Sequence, residues 1–143
     1  VFGGFSRCLY PVQKFQSDTE RKLAIILDRY AEKWFKPALG QFQIYYTAGI
    51  EQLEYQPDFV AEVANCIYML EPKASREVYT PVVQAKRDAA VTWCQRATTH
   101  ALEFGGKPWQ YALIPHDAIA ENMTLSGLVA QYSEGQMKKD NRS

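Results

Sequence analysis

The stretch PDFVAEVANCIYMLEPK, residues 57–73, decides the predicted fold. It contains two runs rich in β-branched and aromatic residues, separated by Ala64-Asn65, a pair that suits a two-residue hairpin loop. Such a loop sets the register of the two strands that it joins. The sequence therefore predicts a central β-hairpin in which Asp58 lies directly opposite Glu71.

The predicted hairpin places three charged groups on one face. Directly opposed side chains have Cβ atoms about 5 Å apart, and two like charges there are destabilising unless a cation offsets them. Because successive strand residues alternate between faces, Lys73 shares the face of Glu71. Carboxylate oxygens with room left for water suit Mg²⁺ or Mn²⁺ better than zinc or copper. The implied chemistry is phosphodiester hydrolysis, with Lys73 positioning or activating the attacking water.

The segment before the hairpin predicts a helix followed by a strand. Ser17-Asp18-Thr19-Glu20 is a capping-box pattern, and apolar residues recur after it at helical spacing until Pro37 and Gly40. These apolar residues are Leu23, Ile26, Leu27, Tyr30 and Trp34. Residues 41–46 then alternate with a period of two, which predicts a strand that ends at Gly49.

The segment after the hairpin predicts a second helix, a strand and a short last helix. The second helix begins near Thr80-Pro81 and ends at Gly105-Gly106. The strand covers 109–114, and the last helix covers 123–132. This element order predicts an α/β fold with a mixed central sheet of about four strands flanked by helices.

The domain organisation is expected to be simple. We predict one domain over residues 1–132 and a flexible polar tail over residues 133–143. Hydrophobic residues make up 47% and charged residues 22%, which argues against disordered, fibrous and membrane classes. We expect a cytoplasmic protein with neither a signal peptide nor a membrane span. Sixteen basic residues balance sixteen acidic ones, so the case for nucleic acid depends on the site.

The motif and several longer stretches resemble a known family. Pro57-Asp58 followed by Glu71-x-Lys73 resembles the PD-(D/E)xK motif of restriction endonucleases and repair nucleases. Most of residues 5–130 resembles the C-terminal nuclease region of the cleaving subunit of type III restriction enzymes. The stretches that carry this resemblance are Leu9-Tyr10-Pro11, Ser17-Asp18-Thr19-Glu20-Arg21, Tyr55-Gln56-Pro57-Asp58-Phe59-Val60, Glu71-Pro72-Lys73, Val83-Gln84-Ala85-Lys86 and Gly106-Lys107-Pro108-Trp109.

The resemblance implies a restriction-endonuclease-like core that cuts DNA with Mg²⁺ or Mn²⁺. It implies that Asp58 and Glu71 bind the metal, that Lys73 assists the water, and that Glu20 of the first helix is the further acidic ligand. A related subset of such nucleases places a glutamine near the site, for which Gln84 is the candidate.

The resemblance also implies partners. They are a helicase-like motor and a separate DNA-modification subunit, and whether two copies of the domain pair for double-strand cleavage stays open. The sequence has no GxxxxGK[ST] phosphate loop, so the domain itself is not expected to hydrolyse ATP.

Other interpretations of the same residues remain open. Glu20 is also what a capping box requires three residues after Ser17, and Gln84 suits a solvent-facing helix position equally well. Asp58 taken alone suits a turn after proline. At the level of function, the alternatives are a non-catalytic nuclease-fold module for DNA binding or motor docking, and a hydrolase of a small phosphorylated substrate. An open groove favours the nuclease, and a closed pocket with few basic residues favours the last.

Overall fold

The computed structural model describes residues 2–10, 12–13 and 15–134. Within these residues the chain forms helices, strands and two short 3-10 helices at Ser75–Glu77 and His116–Ala118. In chain order the main elements are β1 (Phe2–Gly3), β2 (Val12–Gln13), α1 (Asp18–Tyr30), β3 (Lys33–Phe35), β4 (Ile44–Ala48), β5 (Glu51–Tyr55), β6 (Phe59–Glu62), β7 (Ile67–Lys73), α2 (Pro81–Glu103), β8 (Trp109–Pro115), α3 (Leu125–Tyr132) and β9 (Ser133–Glu134).

The main sheet is mixed and has five strands in the order β3-β6-β7-β8-β9. Strands β6 and β7 form an antiparallel hairpin in which Phe59 pairs with Leu70 and Glu62 with Ile67, the register that the Ala64-Asn65 loop predicts. Strand β8 lies parallel to β7, and helix α2 makes the crossover between them. The predicted α/β fold with a mixed sheet is confirmed, with five strands in place of about four.

Helices cover both faces of this sheet. Alternate residues of β7 point to opposite sides, so Leu70 packs in one core and Met69 in the other. The Leu70 core also contains residues of α1 and α3, whereas the Met69 core contains residues of α2, β4 and β5. Helix α2 begins after Thr80 with Pro81 in its first turn, as predicted. No helix among the described residues is long and apolar enough to cross a bilayer.

The first helix is shorter than predicted. It ends at Tyr30, and Ala31 is already extended, so Trp34 lies on strand β3 and pairs with Ala61 of β6. The prediction that the helix continues to Pro37 is therefore wrong. Asp28 accepts a hydrogen bond from the Trp34 indole nitrogen at 3.1 Å, and this contact helps to direct the chain into the sheet.

Asp28 also accepts hydrogen bonds from the backbone near the start of the chain, so its replacement should lower the stability of the fold. Its carboxylate also accepts the backbone N–H of Arg7 at 2.7 Å and of Ser6 at 3.1 Å. Partial burial acts to raise the pKa of Asp28, but these hydrogen bonds outweigh it and hold the pKa below its usual value. We expect Asp28→Asn to lower the free energy of unfolding by about 1–2 kcal/mol at neutral pH, measured by urea denaturation.

The pH dependence of that loss follows from the lowered pKa. A carboxylate with a lowered folded-state pKa stabilises the fold above its unfolded-state pKa, and this contribution disappears as the pH falls through the folded-state pKa. The difference between wild type and Asp28→Asn should therefore shrink in acid. The control is Asp117→Asn, at an exposed residue. Equal stability of the two variants at neutral pH would contradict this role of Asp28.

The strand predicted near residues 41–46 exists, but it lies outside the main sheet. It runs over Ile44–Ala48 and pairs with β5 in a separate two-stranded ribbon, which turns at Gly49 with a φ of 63°. The prediction that it belongs to the central sheet is wrong, because β5 is its partner and the ribbon packs against α2. Strand β5 was not predicted, since four of its five residues are exposed and give no alternation of apolar residues.

The end of the described chain extends the sheet. Ser133–Glu134 form β9 and pair with Ala112 and Tyr111 of β8. The sheet therefore continues two residues past the domain boundary predicted at Tyr132. The rest of the predicted tail, residues 135–143, lies outside the described residues.

Candidate active site

The β6–β7 hairpin brings the two predicted carboxyl groups together. Asp58 immediately precedes β6, and the register of the hairpin, extended by one residue, places it opposite Glu71. Besides the effect of burial, the charge on Asp58 raises the pKa of Glu71, and a hydrogen bond between the two carboxyl groups lowers the pKa of Asp58. The two groups therefore meet at the end of the sheet where β7 and β8 terminate.

Burial and like charge make this pair share a proton. Glu71 is only 5% exposed, and loss of solvation, followed by the charge on Asp58, raises its pKa to about 8. Burial also raises the pKa of Asp58, against the hydrogen bond from Glu71, while the charge of Glu20 adds to the rise. In the metal-free protein at neutral pH, Glu71 therefore holds a proton beside Asp58.

Lys73 lies beside this pair, as the alternation along β7 predicts. Its Nζ is 3.4 Å from Oε2 of Glu71, and its side chain remains partly exposed. An ammonium group at this place is close enough to a buried carboxylate to stabilise its ionised form, and it is also accessible from solvent. Lys73 is the one cation of the motif that faces both the carboxyl pair and the outside.

Glu20 joins the site from α1 while also serving the helix end. The Ser17 hydroxyl accepts the Glu20 backbone N–H at 3.1 Å, and Glu20 Oε1 accepts the backbone N–H of Gln16 at 3.3 Å. The same Oε1 accepts a hydrogen bond from Lys36 Nζ at 2.9 Å, and Lys36 also reaches the Asp58 carbonyl oxygen at 3.4 Å. Glu20 therefore caps α1 and also lies near Asp58, while its predicted role as a metal ligand stays a prediction.

Gln84 has a different partner. Its amide Nε2 donates to the Val78 carbonyl oxygen at 2.8 Å, an interaction at the entry of α2. It also lines a surface depression with Leu113 and Pro115, the β8 residues that pair with Glu71 and Lys73. Gln84 thus lies beside β8, the strand next to β7 of the motif, and its amide is hydrogen-bonded to the backbone.

The sequence analysis missed three residues of the site. Lys36 follows β3 and packs its ammonium 4.4 Å from the centre of the Phe59 ring. Tyr55 ends β5 and donates its hydroxyl hydrogen to Glu71 Oε1, while the Tyr111 hydroxyl of β8 lies 3.5 Å from that of Tyr55. No local pattern singles out these residues, although Tyr55 lies only three positions before Asp58.

The donor set fits a hard divalent cation held by few protein ligands. Among the described residues, no group of three His, Cys, Asp or Glu side chains forms a ready-made metal site. Glu20 is bound to Lys36 in the structure, and its predicted place in the ligand set beside Asp58 and Glu71 stays a prediction. Magnesium commonly uses one or two carboxylates and completes its coordination with water and phosphate oxygens. Asp58 and Glu71 match that requirement.

Comparison with known proteins adds no relative. No protein-family model matches the chain, and no curated protein matches it. The resemblance to type III restriction enzymes therefore stays a prediction.

Proposed function

We propose that the chain is a divalent-metal-dependent endonuclease domain with a PD-(D/E)xK core, which hydrolyses phosphodiester bonds in DNA. The observation that carries the proposal is the Asp58–Glu71 carboxyl pair, in which Glu71 is buried and has Lys73 Nζ 3.4 Å from its Oε2. Two carboxyl groups this close together, one of them buried with a strongly raised pKa, are typical of a functional site. The mixed sheet flanked by helices is in keeping with the core that the resemblance implies.

Each group has a defined task in this proposal. Asp58 and Glu71 hold Mg²⁺ or Mn²⁺, which when bound neutralises the pair and offsets the charge that develops on the phosphate. Glu71 releases its proton to solvent when it becomes a ligand. Lys73 directs the attacking water toward phosphorus through a hydrogen bond. Glu20, paired with Lys36, supports Asp58 from α1 and can join the ligand set only by leaving Lys36.

The proposed setting follows the resemblance. The domain would act in the cytoplasm as the cleavage module of a type III-like restriction enzyme, beside a helicase-like motor and a DNA-modification subunit. One such site cuts one strand at a time, so double-strand cleavage requires two domains. The balanced charge of the chain gives little non-specific affinity for DNA, which makes delivery of DNA by such partners a consistent part of the proposal.

The test measures metal binding and DNA nicking on the same samples. Wild type is titrated with Mn²⁺ by calorimetry and assayed for nicking of supercoiled plasmid, beside Asp58→Ala. We expect the variant to lose both Mn²⁺ binding and metal-dependent nicking, because only one carboxylate of the pair remains to bind the cation. The control is Glu103→Ala, which removes an exposed carboxylate from the last residue of α2, at the opposite end of the crossover from Lys73.

The outcomes separate the proposed nuclease from its main alternative. Mn²⁺ binding by wild type without nicking, at low salt and high protein concentration, would favour a nuclease-fold module for DNA binding or motor docking. If wild type fails to bind Mn²⁺ at all, the metal-dependent nuclease is excluded. Equal loss of nicking in Glu103→Ala would show that the effect of Asp58→Ala is not specific to the site.

A further inference from the structure

Two buried tyrosines adjoin the carboxyl pair. Tyr55 is 4% exposed and Tyr111 is 1% exposed, and they reach the site from β5 and β8. A buried hydroxyl must find its hydrogen-bond partner within the protein, so its orientation is determined by the fold. The Tyr55 hydroxyl finds Glu71 Oε1, and the Tyr111 hydroxyl lies against Tyr55.

The two oxygens of Glu71 therefore have different partners. Oε1 accepts the Tyr55 hydroxyl, whereas Oε2 lies 3.4 Å from Lys73 Nζ. Lys73 is the more exposed of these partners, so Oε2 is the oxygen on the side that solvent and substrate can approach. The carboxyl plane is held from the buried side by a phenol that cannot turn away to water.

The ribbon formed by β4 and β5 determines the place of this phenol. Tyr55 pairs with Ile44 at the base of the ribbon, and both residues are buried against Met69 of β7. The ribbon stands outside the main sheet, yet its last residue is the one that contacts Glu71. Anchoring at Ile44 thus gives the Tyr55 hydroxyl a defined position relative to β7.

We propose that Tyr55 is a positioning residue that holds Glu71 Oε1 so that Oε2 is presented to the cation beside Lys73. This inference rests on the proposed function. Metal-ligating carboxylates are generally oriented by hydrogen bonds from neighbouring groups, and loss of such a partner typically costs about 10- to 100-fold in metal affinity or activity. Tyr55 acts through Glu71, which its hydroxyl contacts.

The experiment compares two single-hydroxyl deletions at neighbouring buried positions. Tyr55→Phe and Tyr111→Phe each remove one phenolic oxygen and keep the ring, but only Tyr55 bonds directly to the carboxyl group. Mn²⁺ affinity is measured by calorimetry, and the free energy of unfolding of each metal-free variant is measured by urea denaturation. We expect Tyr55→Phe to weaken Mn²⁺ binding by about 10- to 100-fold and Tyr111→Phe to bind almost as wild type does.

The two readouts distinguish positioning from a merely structural role. If the hydroxyls only stabilise the core, both variants should lose stability and both should bind Mn²⁺ as wild type does, which would overturn the inference and leave the proposed function intact. Equal weakening of Mn²⁺ binding in both variants would also overturn it, because the direct bond from Tyr55 would have no special effect. Absence of Mn²⁺ binding in wild type would overturn both the inference and the proposed function.

Discussion

Lys73→Met should lower the rate of metal-dependent plasmid nicking by about 100- to 1,000-fold, the usual cost of removing one positioned hydrogen-bond donor from the reacting groups. Methionine keeps most of the aliphatic volume of lysine and removes the ammonium that lies 3.4 Å from Glu71 Oε2. Both carboxyl ligands remain, so Mn²⁺ binding should persist. The rate is measured in single turnover at saturating Mn²⁺, which separates the hydrolytic step from metal binding.

The matched control for this change is Lys33→Met. Lys33 also lies on a strand, but its side chain is more than half exposed and contacts Glu62 at the loop end of the hairpin, away from the motif. We expect Lys33→Met to nick DNA at the wild-type rate. A Lys73→Met variant that binds Mn²⁺ and nicks as fast as wild type would remove Lys73 from the mechanism.

The second large effect concerns stability in the absence of metal. The folded-state pKa of Glu71 is about 8, well above its ordinary value of 4.5, because the carboxyl is buried and lies against Asp58. Its proton therefore stabilises the fold fully below pH 4.5, and this stabilisation is lost as the pH rises to 8. Each pKa unit corresponds to about 1.4 kcal/mol, so the loss is on the order of several kcal/mol. Metal-free wild type should thus weaken steadily across this interval.

Glu71→Gln should remove that dependence on pH. The glutamine amide can donate to Asp58 and accept from Tyr55, as the protonated carboxyl does, but it cannot ionise. In urea denaturation without metal, the variant should match wild type near pH 5 and exceed it in stability above pH 8. Addition of Mn²⁺ should then stabilise wild type and leave the variant unchanged, because only wild type retains both ligands.

A control variant separates this effect from general acid and base effects on the fold. Glu103→Gln, at an exposed position, should follow the wild-type stability curve at every pH. If Glu71→Gln were less stable than metal-free wild type at high pH, the ionised Glu71 carboxylate would stabilise the fold. The argument that ionisation of Glu71 beside Asp58 weakens the metal-free fold would then be wrong.

The parts of the fold that the sequence predicted well are those specified by neighbouring residues. The two-residue loop sets the β6–β7 register, the capping box sets the start of α1, and Thr80-Pro81 sets the start of α2. Each of these signals lies within a few positions of the feature it determines. Strand β3, which was assigned to a helix, depends on a partner that is distant in sequence, and strand β5, which was missed, consists mostly of exposed residues without alternation.

Trp34 illustrates why local periodicity failed. It falls at a helical spacing from Tyr30, and the sequence therefore assigned both residues to one helix. In the fold, Trp34 packs against Phe59 of β6 and donates its indole N–H to Asp28. Burial of this large aromatic side chain in the core outweighs the weak helix preference of the local segment.

The sequence by itself determined that Asp58 and Glu71 would oppose each other and that Lys73 would share their face, because strand alternation and a two-residue loop leave one register. Only the tertiary structure decided what surrounds them. Tyr55 and Lys36 come from separate elements, and they meet Glu71 and Glu20 through packing of the ribbon, β3 and α1. Such contacts arise from burial of whole elements against one another, which no short pattern in the chain encodes.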